Sequence, residues 1–561
     1  MKEELDENDE QKKESPQDSD KSLGADNILN NKNTDFIKTM KMDIECNKIK
    51  SSIMNSEPTL PHKEILTELL NQVDLIDFDL LAFPQKKKIK KRIEEIENII
   101  SNEDGSINAE EKDSKLSIEL KKLTKEMEKM KVNQKHHLIL SVENIMEVAK
   151  KNNWGLCKNL NFIYLYNGAY WSEIDKNEFQ SFLGNASEKM GVTKYTARFF
   201  QFREQLFKQF LSSSYLSTPI VSNDIVKINL LNGTFEITHT GAKLKKFNRK
   251  DFMTYQLPFA YDPKATAPIF QAYLDKVLPD KNLQYILAEF LGFVFMKNGN
   301  SSIKIEKTLM LYGGGANGKS VFFQVINALL GSENVSSYSL QSLTNENGYY
   351  RAKIANKLVN YASEISGTLE TATFKQIVSG EPLEARLPYG DPFTLTQYAK
   401  LIFNANKLPR DVEHTNAYFR RFLIIPFDVT IPEEEQDKEL HTKIINAELS
   451  GVFNWVLEGL NRLLEQKNFT HSDVVQKARE DYELKSDSVR VFMDDMEYKK
   501  SATEHVLRKE IYRDYRNYCM EEGFKAVNNT NFIERLEAFG CQIEKKNVGN
   551  VVYLTRKVEL L

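Results

Sequence analysis

Residues 313–320 read Gly-Gly-Gly-Ala-Asn-Gly-Lys-Ser and fit the spacing G-x-x-x-x-G-K-[ST], with Gly313, Gly318, Lys319 and Ser320 at the fixed positions. Without a Cβ, glycine lets successive backbone N–H groups turn inward around an anion. On this reading Gly313, Gly314, Gly315, Ala316, Asn317, Gly318, Lys319, Ser320 and Val321 form the cradle for a nucleotide's phosphates. The Lys319 ammonium neutralises the β- and γ-phosphates, and the Ser320 hydroxyl ligates Mg²⁺; the expected cofactors are therefore ATP and Mg²⁺. Three further positions carry matching chemistry. Glu364 is a carboxylate able to organise the metal or activate water, and Asn406 is a neutral amide able to orient the attacking water or sense the γ-phosphate. Arg420 and Arg421 are guanidinium groups that a subunit can supply to its neighbour's site, against the charge of the transferring phosphoryl group.

These residues need particular elements to hold them. "TLMLY" ahead of the loop reads as a buried strand, and "SVFFQVINALLG" has helical apolar spacing and stops at Gly331. Strand, loop and helix is the required order, because the helix N-terminus also favours an anion. "KLVNYASEI" (357–365) reads as an apolar strand ending near Glu364, and "KLIFNANKLP" (400–409) as one whose end carries Asn406. "FRRFLIIPF" (419–427) puts the arginine pair just before another strand. Alternating strands and helices to about residue 465 predict an α/β nucleotide-binding layer.

The rest of the chain divides around that layer. With 561 residues, 41% of them apolar, several domains are expected. Residues 1–34 are polar and acidic and read as a disordered tail. Residues 35–133 read as helical: Ile89, Ile93, Ile96 and Ile100 share one face, and Leu116, Leu120, Leu123, Met127 and Met130 another, the pattern of an αα-hairpin. That hairpin is either a small packing unit or an arm for a partner or for self-association. Residues 134–300 mix helix with strand, including hairpins turning at Asn167-Gly168 and Asn232-Gly233. Residues 301–470 hold the nucleotide layer. In residues 486–561 the order helix, helix, hairpin is that of a winged helix-turn-helix, a module for duplex DNA or for protein. No apolar run is long enough for a membrane span, and the N-terminus is no signal peptide. Cys46, Cys157, Cys519 and Cys541 are far apart, which predicts a reducing compartment without structural zinc. The net charge is −4, so any nucleic-acid contact must come from local basic groups.

"GGGANGKS", "NYASEIS", "FKQIVSGEPLEARLPYGDPFTL", "FNANKLP" and "YFRRFLIIPF" follow one another as in a superfamily 3 helicase. The chain resembles the phage and plasmid primase–helicase branch, to which the poxvirus primase–helicase is related, and looks like its helicase part without a fused primase domain. The resemblance covers roughly residues 225–430. It implies an AAA+-like P-loop ATPase core, usually a homo-hexameric ring, that translocates on single-stranded or forked DNA in the replication of a phage, plasmid or other mobile element. It makes Lys319 the Walker A lysine, Ser320 the metal ligand, Glu364 the Walker B acid and second metal residue, and Asn406 the sensor. Arg421 best matches the arginine finger, with Arg420 second. A bacterial host's cytoplasm is the implied place, and a separate primase or other replication protein is the candidate partner of the N-terminal helices. Two departures stand out: Ser363, not an acid, precedes Glu364, and the DNA-contacting hairpin "RLPYGDPF" lacks lysines at its tip, which leaves Arg386 and Lys375 as basic candidates. The rival readings are an origin-binding initiator or loader that does not unwind, and a non-helicase AAA+-like remodelling or packaging ATPase.

Overall fold

The computed structural model describes residues 59–102, 109–159, 162–214, 225–238, 241–299, 303–362, 370–406, 408–409 and 414–556. The acidic tail expected at 1–34, together with Ser363 and Glu364, lies outside them.

Helices α1 (His62–Asn71), α2 (Phe78–Ala82), α3 (Lys86–Asn102), α4 (Ala109–Lys129) and α5 (Gln134–Lys151) open the described chain. α3 and α4 lie side by side, joined by an Arg92–Glu119 ion pair at 3.0 Å. α5 starts where Asn133 Oδ1 accepts the Lys135 N–H, a side-chain cap on a free helix end. β1 (Gly155–Asn159), β2 (Phe162–Tyr166) and β3 (Trp171–Ile174) form an antiparallel sheet in that order. Its β2–β3 turn spans 167–170, where Asn167 Oδ1 accepts the Ala169 and Tyr170 N–H groups. α6 (Lys176–Lys189), α7 (Lys194–Arg198) and α8 (Phe200–Ser213) follow. Ile65, Leu69, Phe78, Ile145, Leu165, Phe179, Leu183, Ala197, Phe202 and Leu206 bring α1, α2, α5, β2, α6, α7 and α8 into one core.

A second core is built around the segment that carries the glycine loop. β4 (Val226–Leu230), β5 (Gly233–Thr238) and β6 (Gly241–Lys245) form an antiparallel meander. Leu230 pairs with Gly233, so the loop is Leu231-Asn232, one residue earlier than the sequence suggests. The reason is tertiary: the Asn232 amide donates to the Tyr261 carbonyl and accepts the Tyr261 N–H, both at 2.9 Å, and so belongs to the loop. α9 (Pro268–Val277) and α10 (Lys281–Val294) lead into β7 (Thr308–Tyr312), α11 (Lys319–Leu330) and β8 (Val335–Ser336). Then come α12 (Leu340–Thr344), α13 (Tyr349–Lys353), β9 (Val359–Ala362) and α14 (Thr371–Val378). The hairpin β10 (Leu383–Ala385)–β11 (Phe393–Leu395) precedes β12 (Lys400–Ala405), α15 (Asn416–Phe419), β13 (Phe422–Pro426) and the long α16 (Leu440–Gln466).

β7, β8, β9, β12 and β13 make one parallel sheet in the order β13-β7-β12-β9-β8. Strands buried on both faces read as apolar runs, and here alternate residues divide between two cores. Leu309, Leu311 and Ile425 pack with α9, α10, α11 and α16, whereas Met310 and Ile424 pack with Phe374, Tyr418 and Tyr482 on the other face. β7 lies between β13 and β12, neither of them its neighbour in sequence. That makes its C-terminal end a topological switch point, the crevice where open parallel sheets hold ligands.

α17 (Asp473–Ser486) packs on β13 and leads through α18 (Ser488–Asp495) to the C-terminal unit. This holds β14 (Tyr498–Lys500), β15 (Val506–Leu507), α19 (Arg508–Glu522), α20 (Asn529–Ala538), β16 (Ile543–Lys546), β17 (Gly549–Val552) and β18 (Leu554–Arg556). Its own core contains Phe492, Ile511, Tyr515, Phe532, Leu536 and Val552. Among the described residues no helix is long and apolar enough to cross a membrane.

Candidate nucleotide site

The loop at the end of β7 is braced on each flank. From the strand side, the Gly313 N–H donates to the Ala405 carbonyl at 3.1 Å, and Phe427 N–H donates to the Tyr312 carbonyl at 2.7 Å. From the segment after β13, the Phe427 carbonyl accepts from Asn317 Nδ2 at 3.0 Å and the Ile431 N–H donates to the Ala316 carbonyl at 2.8 Å. From α9, the Tyr273 hydroxyl donates to the Gly318 carbonyl at 2.8 Å. Two glycines are sterically required. A Cβ on Gly313 would lie 2.5 Å from the Phe427 carbonyl oxygen, and Gly318, with a φ of 85°, would put one 2.8 Å from Val277 Cγ1.

Lys319 opens α11 and is buried, its ammonium folded under the loop. Its Nζ donates to the carbonyls of Gly313 (2.8 Å) and Gly314 (2.9 Å) and to Asn317 Oδ1 (3.0 Å). Burial lowers its pKa from the ordinary lysine value. The residues Gly314, Gly315 and Ala316 are exposed, as is Ser320 in the first turn of α11, and a Cβ on Gly314 or Gly315 would meet nothing within 4 Å. This is an exposed, glycine-rich rim with one buried cation beneath it and an exposed serine at its edge. The residue set fits a triphosphate with its divalent metal, because anion ligands are offered by backbone and cation while the approach is left open.

The other expected residues distribute as follows. Ala405 pairs with Tyr312, so Asn406, exposed and one residue further on, lies beside Gly313 at the mouth of the loop. β9, which Glu364 follows, ends on the far side of β12 from β7, with Ala362 paired to Phe403. Arg420 and Arg421 stand at the opposite edge of the sheet, where Phe422 pairs with Thr308 and the Arg421 carbonyl accepts the Thr308 N–H at 2.8 Å. Within one chain the arginines and the loop are therefore separated by the length of a strand. The pair also differs in availability. Arg421 is buried, bound to Glu306 (3.1 Å), Ser379 Oγ (2.9 Å) and the Ala417 carbonyl, whereas Arg420 is half exposed and reaches Glu306 at 2.9 Å. Burial, reinforced by Arg479, Arg420 and Arg421, lowers the pKa of Lys307 at this edge to about 8.

At the β10–β11 hairpin Arg386 is half buried. Its Nη2 donates to the Tyr349 hydroxyl at 3.0 Å and its guanidinium lies 5.2 Å from that ring's centroid. Lys375 sits half buried on α14. The hairpin's most prominent side chain is Tyr389, fully exposed at the tip on a left-handed backbone (φ 59°). Its base leans on the β1–β3 sheet, with Phe393 edge to face on Phe162 at 5.8 Å. Sequence reasoning missed Tyr273, Phe427, Ile431 and Tyr389. Phe427 and Tyr389 lie inside quoted motifs but at positions given no role there, Tyr273 and Ile431 lie outside them, and only the fold brings Tyr273, Phe427 and Ile431 to the loop.

Two family models match the chain. Residues 142–279 match a family described as D5 N terminal like, and residues 311–421 match a family of unknown function (DUF5906). The first overlaps the segment expected ahead of the motor, and the second runs from β7 through Arg421. Among solved structures, the A form apo structure of the NrS-1 C terminal region has a TM-score of 0.41 and 14% identity, covering 73% of this chain and 98% of that one. The apo structure of the NrS-1 C terminal region has a TM-score of 0.39 and 13% identity, covering 75% and 99%.

Proposed function

We propose that this protein is an ATP-driven DNA helicase of superfamily 3 type, acting as a ring-shaped oligomer, usually a hexamer, on single-stranded or forked DNA during replication of a phage, plasmid or other mobile element. One observation carries most weight: the register that sets Asn406 beside the glycine loop at the switch point of a parallel sheet, over a buried Lys319. A phosphate loop alone says only that nucleotide is held. A neutral amide just past the end of the adjoining strand, beside the loop, supports a role in directing water at the γ-phosphate. The D5 N terminal like match ahead of the loop supports the primase–helicase relationship.

In this reading Lys319 and the N–H groups of residues 314–318 hold the phosphates, and Ser320 with Glu364 holds Mg²⁺. The metal supplies neutralisation of phosphate charge. Glu364 takes the proton of the attacking water, and Asn406 fixes that water's direction. The finger falls to Arg420 rather than Arg421, because Arg421's guanidinium is buried among Glu306, Ser379 and the Ala417 carbonyl, whereas Arg420's is exposed and holds Glu306 from the surface. An arginine at the sheet edge opposite the loop serves a neighbour's site, which is why hydrolysis needs a ring. The hairpin meets DNA through Tyr389, a ring on which any base can stack, while Arg386 is held against Tyr349 on α13. The C-terminal unit is read as a winged helix, on its order of two helices and a hairpin.

The deciding experiment is strand displacement from forked DNA with 3′ or 5′ tails, run beside Lys319→Ala. ATP-dependent displacement by the wild type alone is expected. ATP turnover without displacement, with sequence-specific duplex binding, would instead favour the initiator reading, and stimulation by a protein partner only would favour the remodelling or packaging ATPase.

A further inference from the structure

Residues 194–203, on α7 and the start of α8, read Lys-Tyr-Thr-Ala-Arg-Phe-Phe-Gln-Phe-Arg. Ala197 and Phe202 are fully buried and fasten the corner to the core. Tyr195, Phe199 and Phe200 instead project, 88%, 49% and 66% exposed, and the two phenylalanine rings meet edge to face at 5.1 Å. The core beneath does not need them: Phe179, Phe207 and Phe210 already fill it. Three projecting rings within six residues, two of them in contact, mark a surface that is covered by something else in use.

The charges identify what covers it. The stretch holds Lys194, Arg198 and Arg203 and no acid. Lys194 and Arg198 are exposed, each next in sequence to a projecting ring. Arg198 also makes a two-pronged pair with Glu188, at 2.8 and 3.0 Å on the surface, which solvent screens and which a phosphate must displace or share. Arg203 is half buried and donates from Nε to the Ala197 carbonyl at 3.3 Å, which sets the α7–α8 corner. The core of a protein–protein interface is depleted in charge, whereas here rings and cations alternate. Alternation of that kind suits a strand whose bases stack while its phosphates run alongside.

We infer that the α7–α8 corner is a second single-stranded nucleic-acid contact, distinct from the β10–β11 hairpin, with bases stacked on Tyr195, Phe199 and Phe200 and phosphates drawn to Lys194 and Arg198. It is sequence-tolerant, because every base has a π face and no base-edge reader is part of it. It does not depend on nucleotide, since it lies outside the phosphate loop.

The test measures binding of the full chain to a labelled oligothymidylate without nucleotide, over a salt series. The Tyr195→Ala/Phe199→Ala/Phe200→Ala variant should bind roughly tenfold or more weakly. The aromatic-retaining Tyr195→Phe/Phe199→Tyr/Phe200→Tyr variant should bind as wild type. Lys194→Ala should reduce the salt slope by about 0.7. Tyr195→Ala alone, at a side chain too exposed to matter for folding, should lose several-fold and stands in if the triple variant does not fold. Wild-type affinity in the alanine variants overturns the inference. So does a loss of affinity that follows a fall in sedimenting mass, which would make the corner an interface between copies. DNA-free ATP turnover in the same preparations keeps the two readings apart: its absence in the wild type defeats the motor, and unchanged affinity beside normal turnover defeats this contact alone.

Discussion

Lys319 has only oxygens of its own loop as hydrogen-bond partners, and its burial already disfavours the charge it carries. A phosphate is the ligand that reverses that balance, so Lys319→Ala should reduce ATP hydrolysis by about 10²-fold or more while the protein still melts cooperatively. Glu364→Gln should keep nucleotide bound and stop turnover, because the amide is nearly isosteric and takes no proton. Persistent turnover would point to another acid, which Ser363 gives reason to seek. Titration of a second lysine bears on stability. Lys400 begins β12, bonded to Asn298 Oδ1 and 4.3 Å from the Phe293 ring centroid, and burial lowers its pKa to about 7. An unfolded lysine titrates near about 10.4, so between those values the unfolded chain binds a proton that the folded one does not. Stability from this group therefore rises with pH from about 7 to about 10, and below pH 7 the penalty for burying its charge is complete. Lys400→Met should melt above the wild type at pH 6, with the gap closing by pH 10. Equal midpoints at pH 6 would contradict it.

At the scale of elements, the loop depends on α9 and on the segment after β13 as much as on β7 and α11. Gly318→Ala would strain a left-handed residue and press a methyl on Val277 and Tyr273. Nucleotide affinity should fall about tenfold or more, with a smaller drop in thermal stability, since strain of this kind is of order 1–3 kcal/mol. Normal affinity would mean that α9 yields. That support was not legible in the sequence, whereas the loop itself was, and the difference has a physical origin. Glycine spacing, Lys319 and the stop at Gly331 are local, and local chemistry fixes a strand–loop–helix. So is the Asn167 turn, closed by the asparagine's own side chain. The turn at Leu231-Asn232 shifted by one residue because Tyr261, far along the chain, binds Asn232. For the same reason the adjacent Arg420 and Arg421 look interchangeable until Glu306, distant in sequence, comes to them and buries one. Tyr389 does not stand out in the sequence of the hairpin, because exposure is a property of the folded hairpin and not of its composition.

For the whole molecule, the question is whether one chain holds a complete site. The loop is at the C-terminal edge of the sheet and the arginine pair at the N-terminal edge, so the proposed shared site requires the pair to act on a neighbouring subunit's phosphates. The two arginines should then separate by assay. Arg421→Ala leaves Glu306 without its buried partner and should cost about 3 kcal/mol of stability. Arg420→Ala should fold normally, bind nucleotide nearly as well as wild type and lose about 10³-fold or more in hydrolysis, because a finger acts on transition-state charge. Mixing Arg420→Ala with Glu364→Gln forms some interfaces in which an intact Arg420 faces an intact Glu364. With independent interfaces the mixture recovers turnover that neither variant has alone, rising with subunit exchange. A strictly concerted ring recovers nothing despite exchange, and then wild type diluted by Arg420→Ala should lose activity more steeply than its own fraction. An Arg420→Ala protein that stays monomeric and hydrolyses ATP at the wild-type rate would leave the arginine an ordinary surface residue and remove the support for a shared site.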